Sequence, residues 1–183
     1  MALDFFLNDE MDDFTAKPGM PNLFGLVQGS KNAIAPGKRP LSSMSPTIVL
    51  RDGRVLLVLG SPGGSRIITI TAQTIMNVLD HGMEPQEAVD APRVHHQWLP
   101  DELYAEPFAL SADTQAVLRD MGYKIVEQTP WGAAELVALG PASRATGSPE
   151  SSGNDSSRTG RMRPGLLYGA NDNRRPAGAA VGE

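Results

Sequence analysis

The sequence predicts an α+β fold in which strands and helices stack as layers. Three observations predict it. In "PTIVLRDGRVLLVLG", two nearly unbroken apolar runs flank Asp52-Gly53, a dipeptide that favours a type I′ hairpin turn. A segment of helical period follows at 66–81, and short apolar runs return at 124–128, 134–139 and 166–169. Strands, then helices, then strands argue for a layered sandwich rather than a parallel βαβ fold.

The elements follow in chain order. "FFLND" at 5–9 reads as a short buried strand entering a polar turn, and "EMDDFTAKPGMPN" as a loop with clustered carboxylates. "LFGLVQGSKNAIAPGKRP" is Gly- and Pro-punctuated surface chain. The hairpin strands lack polar alternation, which predicts burial on both faces. In the long helix Ile68, Ala72, Ile75, Met76, Leu79 and Met83 share a face, with Ser65 as N-cap and Gly82 as stop. A second short helix is expected over 84–92, closing before Pro92. A third is expected over 111–123, with Ser111 as N-cap and Gly122 at its end. The Ser-, Gly- and Arg-rich stretch 143–164 reads as a flexible surface insertion between two strands. Its Asn154-Asp155-Ser156 is a weak match to a glycosylation acceptor.

Composition narrows the function classes. At 183 residues the chain is one domain or one subunit, and 40% hydrophobic residues suffice for a core. A net charge of −5 gives no footprint for nucleic acid or an anionic membrane. No apolar run reaches the roughly 18 residues of a membrane span. The opening "MALDFFLNDEMDDF" lacks the basic and apolar regions of a signal peptide. The absence of cysteine removes disulfides, thiolate nucleophiles and cysteine metal sites together.

Four clusters are candidates for chemistry. Gly63-Gly64 precedes the long helix, where backbone N–H groups lack partners and the helix dipole favours negative charge. The pair suits an oxyanion hole; a phosphate cradle or a plain turn are the other readings, and the Walker pattern is absent. Ser42-Ser43, at the entry to the hairpin, suits a substrate carboxylate or an ordinary turn. Glu10, Asp12 and Asp13 suit a cationic group such as an ammonium, or form a solvated acidic loop; no EF-hand spacing points to a metal. His95-His96 would point to opposite faces of a strand and so cannot easily share an ion. A structural role is expected for both, and for His81 at a helix C-terminus.

These blocks, in this order, resemble one family. "FFLNDEMDDFTAKPG", "GKRPLSSMSPTIV", "GSPGGSRI", "DAPRVHHQWLPDEL" and "LYGANDNRRPAGAAVG" look like the small, catalytic subunit of gamma-glutamyltranspeptidase (glutathione hydrolase). The resemblance implies the N-terminal nucleophile (Ntn) hydrolase fold, a four-layer αββα sandwich, of which this chain would form part. It implies a precursor that cleaves itself into a large and a small subunit. The new N-terminal threonine attacks the γ-glutamyl carbonyl of glutathione or another γ-glutamyl compound, and the glutamyl group passes to water or to an amino acid or peptide acceptor. Carried over residue by residue, Ser42 and Ser43 bind the α-carboxylate, Glu10 and Asp13 the α-ammonium, and Gly63 and Gly64 form the oxyanion hole. No cofactor or metal is implied. The large subunit is the implied partner, supplying an arginine for the carboxylate, and the implied location is periplasmic or extracellular.

The sequence departs from the family at its start. The family's threonine-rich strand, with "T-x-H-x-S"-like sequence, lies upstream of the Leu7-Asn8-Asp9 block and has no counterpart in residues 1–183. Thr15, the first threonine, falls inside the acidic loop. The expectation is therefore a fragment lacking the nucleophile, inactive alone and poorly soluble through unpaired strand edges. The alternatives are a degenerate, non-catalytic γ-glutamyl-binding protein and a cephalosporin-type acylase of the same superfamily.

Overall fold

The computed structural model describes residues 10–140 and 162–175. The expected strand at 5–9 and most of the 143–164 insertion lie outside the described residues. Two sheets and three helices make up the rest. The first sheet contains β1 (Thr47–Arg51), β2 (Arg54–Gly60), β6 (Glu135–Leu139) and β7 (Leu167–Asn171) in that order, all antiparallel. The second contains β3 (Val94–Gln97), β4 (Glu102–Ala105) and β5 (Ile125–Glu127). The helices are α1 (Ile67–Leu79), α2 (Pro85–Asp90) and α3 (Ala112–Asp120).

The β1–β2 hairpin turns as expected, with Asp52 and Gly53 at φ +52° and +75°, the left-handed pair a type I′ turn needs. The register shifts between Val49 and Leu50, a local bulge. Burial on both faces is not found. Leu57, Leu59, Leu136 and Ala138 face the helices and join Ile70, Val78 and Val89 in the core. The opposite face carries Ile48, Val58 and Val137, paired across three strands and 63%, 41% and 47% exposed. Among the described residues nothing covers that row, so four layers are not assembled from them. The apolar run reports two faces that suit burial; these residues bury one.

A second difference concerns β4 and β5. They pair in parallel, joined through α3, so one βαβ crossover stands beside the antiparallel sheet. The polar ends of β4, in "DELYAEP", hid it from a hydrophobic pattern search, although Leu103, Tyr104 and Ala105 are buried.

Local chemistry sets the helix ends. Ser111 caps α3 by accepting from Thr114 N–H, and Gly122 follows at φ +96°. In α2, Pro85 occupies the first turn, and Glu84 and Glu87 form a reciprocal capping box. Ser65 is not the cap of α1. A 3₁₀ turn over Gly64–Arg66 comes first, the cap position falls to Arg66, and the Ser65 hydroxyl donates to Gln97 Oε1 at 2.7 Å. Of the insertion's last residues, Met162 is 5% exposed and joins the core, while Arg163 and Pro164 are exposed.

A buried ionic network closes one end of the molecule. Arg93 donates to Asp172 Oδ2 at 2.6 Å, to Val89 O at 2.7 Å and to Trp131 O at 2.9 Å. Arg174 bonds Asp172 Oδ1 at 3.0 Å and the Glu106 carboxylate through Nε at 3.0 Å. Backbone N–H groups of Ala134 and Arg174 also donate to Asp172. Burial alone would push the Asp172 carboxyl up; these N–H donors and the two guanidiniums outweigh it and hold the group below its ordinary range. The segment after β7 is thereby fastened to the α2–β3 corner and to the loop before β6.

Candidate functional site

The acidic loop folds as a 3₁₀ turn over Glu10–Asp13, anchored by the buried side chains of Phe14 and Thr15. Asn32 pins it from across the chain. Its amide donates to Asp13 O at 2.6 Å and to Gln28 Oε1 at 2.8 Å, and its Oδ1 accepts Leu41 N–H at 3.2 Å. One side chain thus joins the acidic turn to the segment leading into Ser42-Ser43.

The Ser43 hydroxyl donates to Asp13 Oδ2 at 3.2 Å, bridging 30 positions of sequence. Both residues line a cavity of about 410 Å³ together with Ser42, Gly64, Ser65 and His95. Ser42 Oγ accepts Met44 N–H at 3.3 Å. Of the six residues singled out in the sequence, Asp13, Ser42, Ser43 and Gly64 therefore meet in one cavity. Gly63 lies on the adjoining turn. Glu10 stands exposed at the start of the acidic turn, outside that lining.

The glycine turn has a backbone that other residues resist. Gly63 has φ +151° and Gly64 φ +57°, and a Cβ on Gly64 would lie 2.3 Å from Phe24 Cδ1. Phe24 thus closes directly over the Gly64 backbone. The turn is held from the other side by β3. Gln97 Oε1 accepts from Ser65 and faces His95 Nε2 at 2.9 Å, while Gln97 Nε2 donates to Leu99 O at 2.8 Å and to Phe24 O at 3.3 Å. Thr69 Oγ1 lies 2.9 Å from His95 Nδ1. Burial pushes the His95 pKa below its ordinary value, against the opposing hydrogen bond to Gln97. A neutral ring donating from Nε2 satisfies the Gln97 contact, and the Thr69 hydroxyl, which also lies 3.0 Å from Arg66 O, has one proton to share between that carbonyl and Nδ1. The two histidines do point apart: His95 is buried, and His96 is exposed beside Asp101 at 2.9 Å.

Chemically, one end of the cavity offers a carboxylate beside two hydroxyls, a set suited to the ammonium and carboxylate of an amino acid head group. The other end offers the glycine backbone at the start of α1, where first-turn N–H groups lack helical partners.

Comparison with known proteins decides the family. A gamma-glutamyltranspeptidase family profile matches residues 3–181. The chain belongs to the gamma-glutamyltranspeptidase family. It is 52% identical over 176 residues to a glutathione hydrolase proenzyme of a Pseudomonas species, covering 96% of this chain and 28% of that protein. It is 54% identical over 135 residues to the glutathione hydrolase proenzyme of Escherichia coli, covering 74% and 23%. The crystal structure of Helicobacter pylori gamma-glutamyltranspeptidase superposes with a TM-score of 0.79 at 48% identity, over 94% of this chain and 82% of that one. The chain thus spans about a quarter of the length of these curated relatives, and its mixed α/β architecture matches family members whose fold is that of the Ntn hydrolases.

Within this family member, sequence reasoning missed three site residues. Phe24 and Asn32 sit in the Gly- and Pro-punctuated chain read as surface, and Gln97 falls in a block read as structural. Each acts through a contact 9 to 73 positions away, which no local pattern encodes.

Proposed function

We propose that these residues form the γ-glutamyl-binding and oxyanion part of an enzyme that hydrolyses glutathione and related γ-glutamyl compounds, or transfers their glutamyl group to amino acids and peptides. Asp13, with Glu10 on the same turn, takes the α-ammonium. Ser42 donates to the α-carboxylate, and Ser43 does so once the ammonium replaces its hydroxyl as the partner of Asp13. The N–H groups of Gly63 and Gly64 stabilise the oxyanion. The nucleophile is a threonine from a segment outside residues 1–183, in the small subunit to which this chain belongs. Its Oγ bonds to the γ-carbonyl carbon, the amide bond to the leaving amine breaks, and the amine departs with the proton. Water or an acceptor amine then cleaves the ester and returns the proton to the threonine.

The observation that carries the reading is the Ser43–Asp13 hydrogen bond inside a cavity that runs to Gly64. An isolated acidic loop or an isolated serine turn would have no reason to meet there. The large subunit of the same precursor is the partner, the αββα sandwich is completed by chain beyond the described residues, and the location is periplasmic or extracellular.

The test uses the processed enzyme that contains these residues. Asp13→Asn is expected to raise KM for a γ-glutamyl anilide by roughly 10- to 100-fold, the scale of a lost charge-assisted contact. Unchanged KM in that variant removes the assignment. No turnover by the wild-type enzyme removes the reading itself. The 183 residues alone are expected to give no turnover; measurable anilide release would show that a nucleophile lies within them.

A further inference from the structure

The start of α1 is held in an unusual way. The 3₁₀ turn over Gly64–Arg66 begins at Gly63 and α1 at Arg66, and neither position carries a side-chain cap. A serine at a helix start ordinarily turns its oxygen onto the free N–H groups and stabilises them. Ser65 instead sends its hydroxyl across 32 positions of chain, donating to Gln97 Oε1 at 2.7 Å. Among the described residues the N–H groups of Gly63 and Gly64 bond to nothing. They are left open, as an oxyanion requires.

Open N–H groups must also be aimed. Adjacent glycines have many backbone states, and this turn uses φ +151° and +57°. Within the turn, Arg66 N–H donates to Gly63 O at 3.1 Å. The Ser65–Gln97 bond adds a restraint from outside it. Gln97 suits that task because it ends β3 and pairs with Glu102 of β4. Its carboxamide uses all four of its hydrogen-bonding positions, on Ser65, His95, Leu99 and Phe24. The carbonyls of Leu99 and Phe24 fix which end is oxygen, since a flipped amide would set oxygen against oxygen twice. The anchor is therefore rigid, and its acceptor faces the turn.

We propose that Ser65 and Gln97 are positioning residues for the oxyanion step. Their hydrogen bond holds the Gly63 and Gly64 N–H groups in the arrangement that receives the developing charge. The inference rests on the γ-glutamyl reading given above. In this assignment neither side chain touches the reacting atoms, and the glutamyl head group is held by Asp13, Ser42 and Ser43. Loss of the tether thus raises the barrier and leaves head-group binding in place.

The experiment uses the processed enzyme and two inhibitors. Glutamate reports the head-group contacts. A glutamate analogue with a boronic acid in place of the γ-carboxyl reports the oxyanion turn as well. The threonine Oγ adds to its boron, the threonine proton passes to the threonine α-amine, no group leaves, and the boron becomes a tetrahedral anion. Ser65→Ala is expected to lower kcat for a γ-glutamyl anilide by roughly 3- to 10-fold, the scale of one neutral hydrogen bond. The inhibition constant of the boronate should rise by the same factor, and that of glutamate by less than about 2-fold. Ser65→Thr keeps the hydroxyl and should restore most of both. Gln97→Glu sets a carboxylate oxygen against two carbonyls and should cost roughly 10- to 100-fold in kcat, less than deleting an oxyanion donor. Equal weakening of both inhibitors, or of neither, overturns the proposal. So does a Ser65→Ala precursor that fails to mature, since that marks a purely structural role. If the wild-type enzyme neither turns over the anilide nor binds the boronate, the γ-glutamyl reading falls and takes this inference with it. A wild-type enzyme that does both, beside an indifferent Ser65→Ala, removes this inference alone.

Discussion

Replacing Gly64 with alanine tests the tightest contact in the site. Two costs add. At φ +57° an L residue gives up about 1–2 kcal/mol relative to its right-handed conformation. The new Cβ would also fall 2.3 and 2.4 Å from Phe24 Cδ1 and Cε1, closer than real carbon atoms approach. Phe24 is 40% exposed, so its ring can swing outward rather than force the backbone apart. That puts the overpacking term at the low end of the usual ~1–3 kcal/mol. The total expected loss of stability is about 2–4 kcal/mol. Urea unfolding of Gly64→Ala, Phe24→Ala and the double variant separates the terms. The ring clash should appear as a favourable coupling of about 1–2 kcal/mol in the double variant, while the backbone term persists. Turnover should not be rescued with stability, because the alanine still disturbs the N–H groups at the turn. Gly64→Ala within about 0.5 kcal/mol of wild type, a value ordinary for surface sites, would refute the reasoning.

Three further outcomes follow from the contacts. Asp172→Asn leaves Arg93 and Arg174 facing a neutral amide inside the core and should cost about 3–5 kcal/mol in chemical unfolding, the scale for breaking a buried ion pair. Asn32→Leu removes the donors to Asp13 O and Gln28 and the acceptor for Leu41; about 1–3 kcal/mol of stability should go, and KM for a γ-glutamyl donor should rise as the acidic turn drifts from Ser43. His95 is held neutral when folded, so below its unfolded pKa near 6.5 the unfolded chain binds the extra proton. Stability should therefore be full above that pH and fall as pH drops through the window beneath it, by at most about 1.4 kcal/mol per pH unit; His95→Gln should flatten the decline in melts at successive pH values.

What the sequence disclosed and what it hid divide along the range of the interactions. Asp52-Gly53 announces its hairpin because the turn's φ angles are a property of two residues. Ser111 announces a helix start because its cap lies three residues away. The burial pattern was misjudged because an apolar run states suitability for burial, and Ile48, Val58 and Val137 find no cover among the described residues. Arg93, Glu106, Asp172 and Arg174 were not singled out in the sequence, since their pairing spans up to 79 positions and charge alone does not say which groups are buried together. In the site, the residue types at Asp13, Ser42, Ser43 and Gly64 were legible. Their meeting depends on Asn32, whose three hydrogen bonds reach 4, 9 and 19 positions along the chain.

Gln97 ties the glycine turn to the aromatic ring that covers it. Its carboxamide oxygen accepts from Ser65 and faces His95, and its amide nitrogen reaches Leu99 O and Phe24 O. The side chain therefore fixes the glycine turn from behind and the Phe24 cover from above in one planar group. A glutamate there would lose both amide donors and bring a negative charge beside the turn proposed to hold an oxyanion; a shorter asparagine would lose the reach to one side. His95 supports this orientation by donating from Nε2 to the carboxamide oxygen. Protonation of the ring leaves that donor in place and adds one at Nδ1, facing Thr69 Oγ1, whose own proton goes to Arg66 O. The acid decline in stability described for His95 is therefore a cost of burying charge and not of losing the Gln97 contact. In the enzyme that is still folded, kcat should not fall with it over the same pH window; a fall in kcat that precedes unfolding would place His95 among the groups that hold the glycine turn.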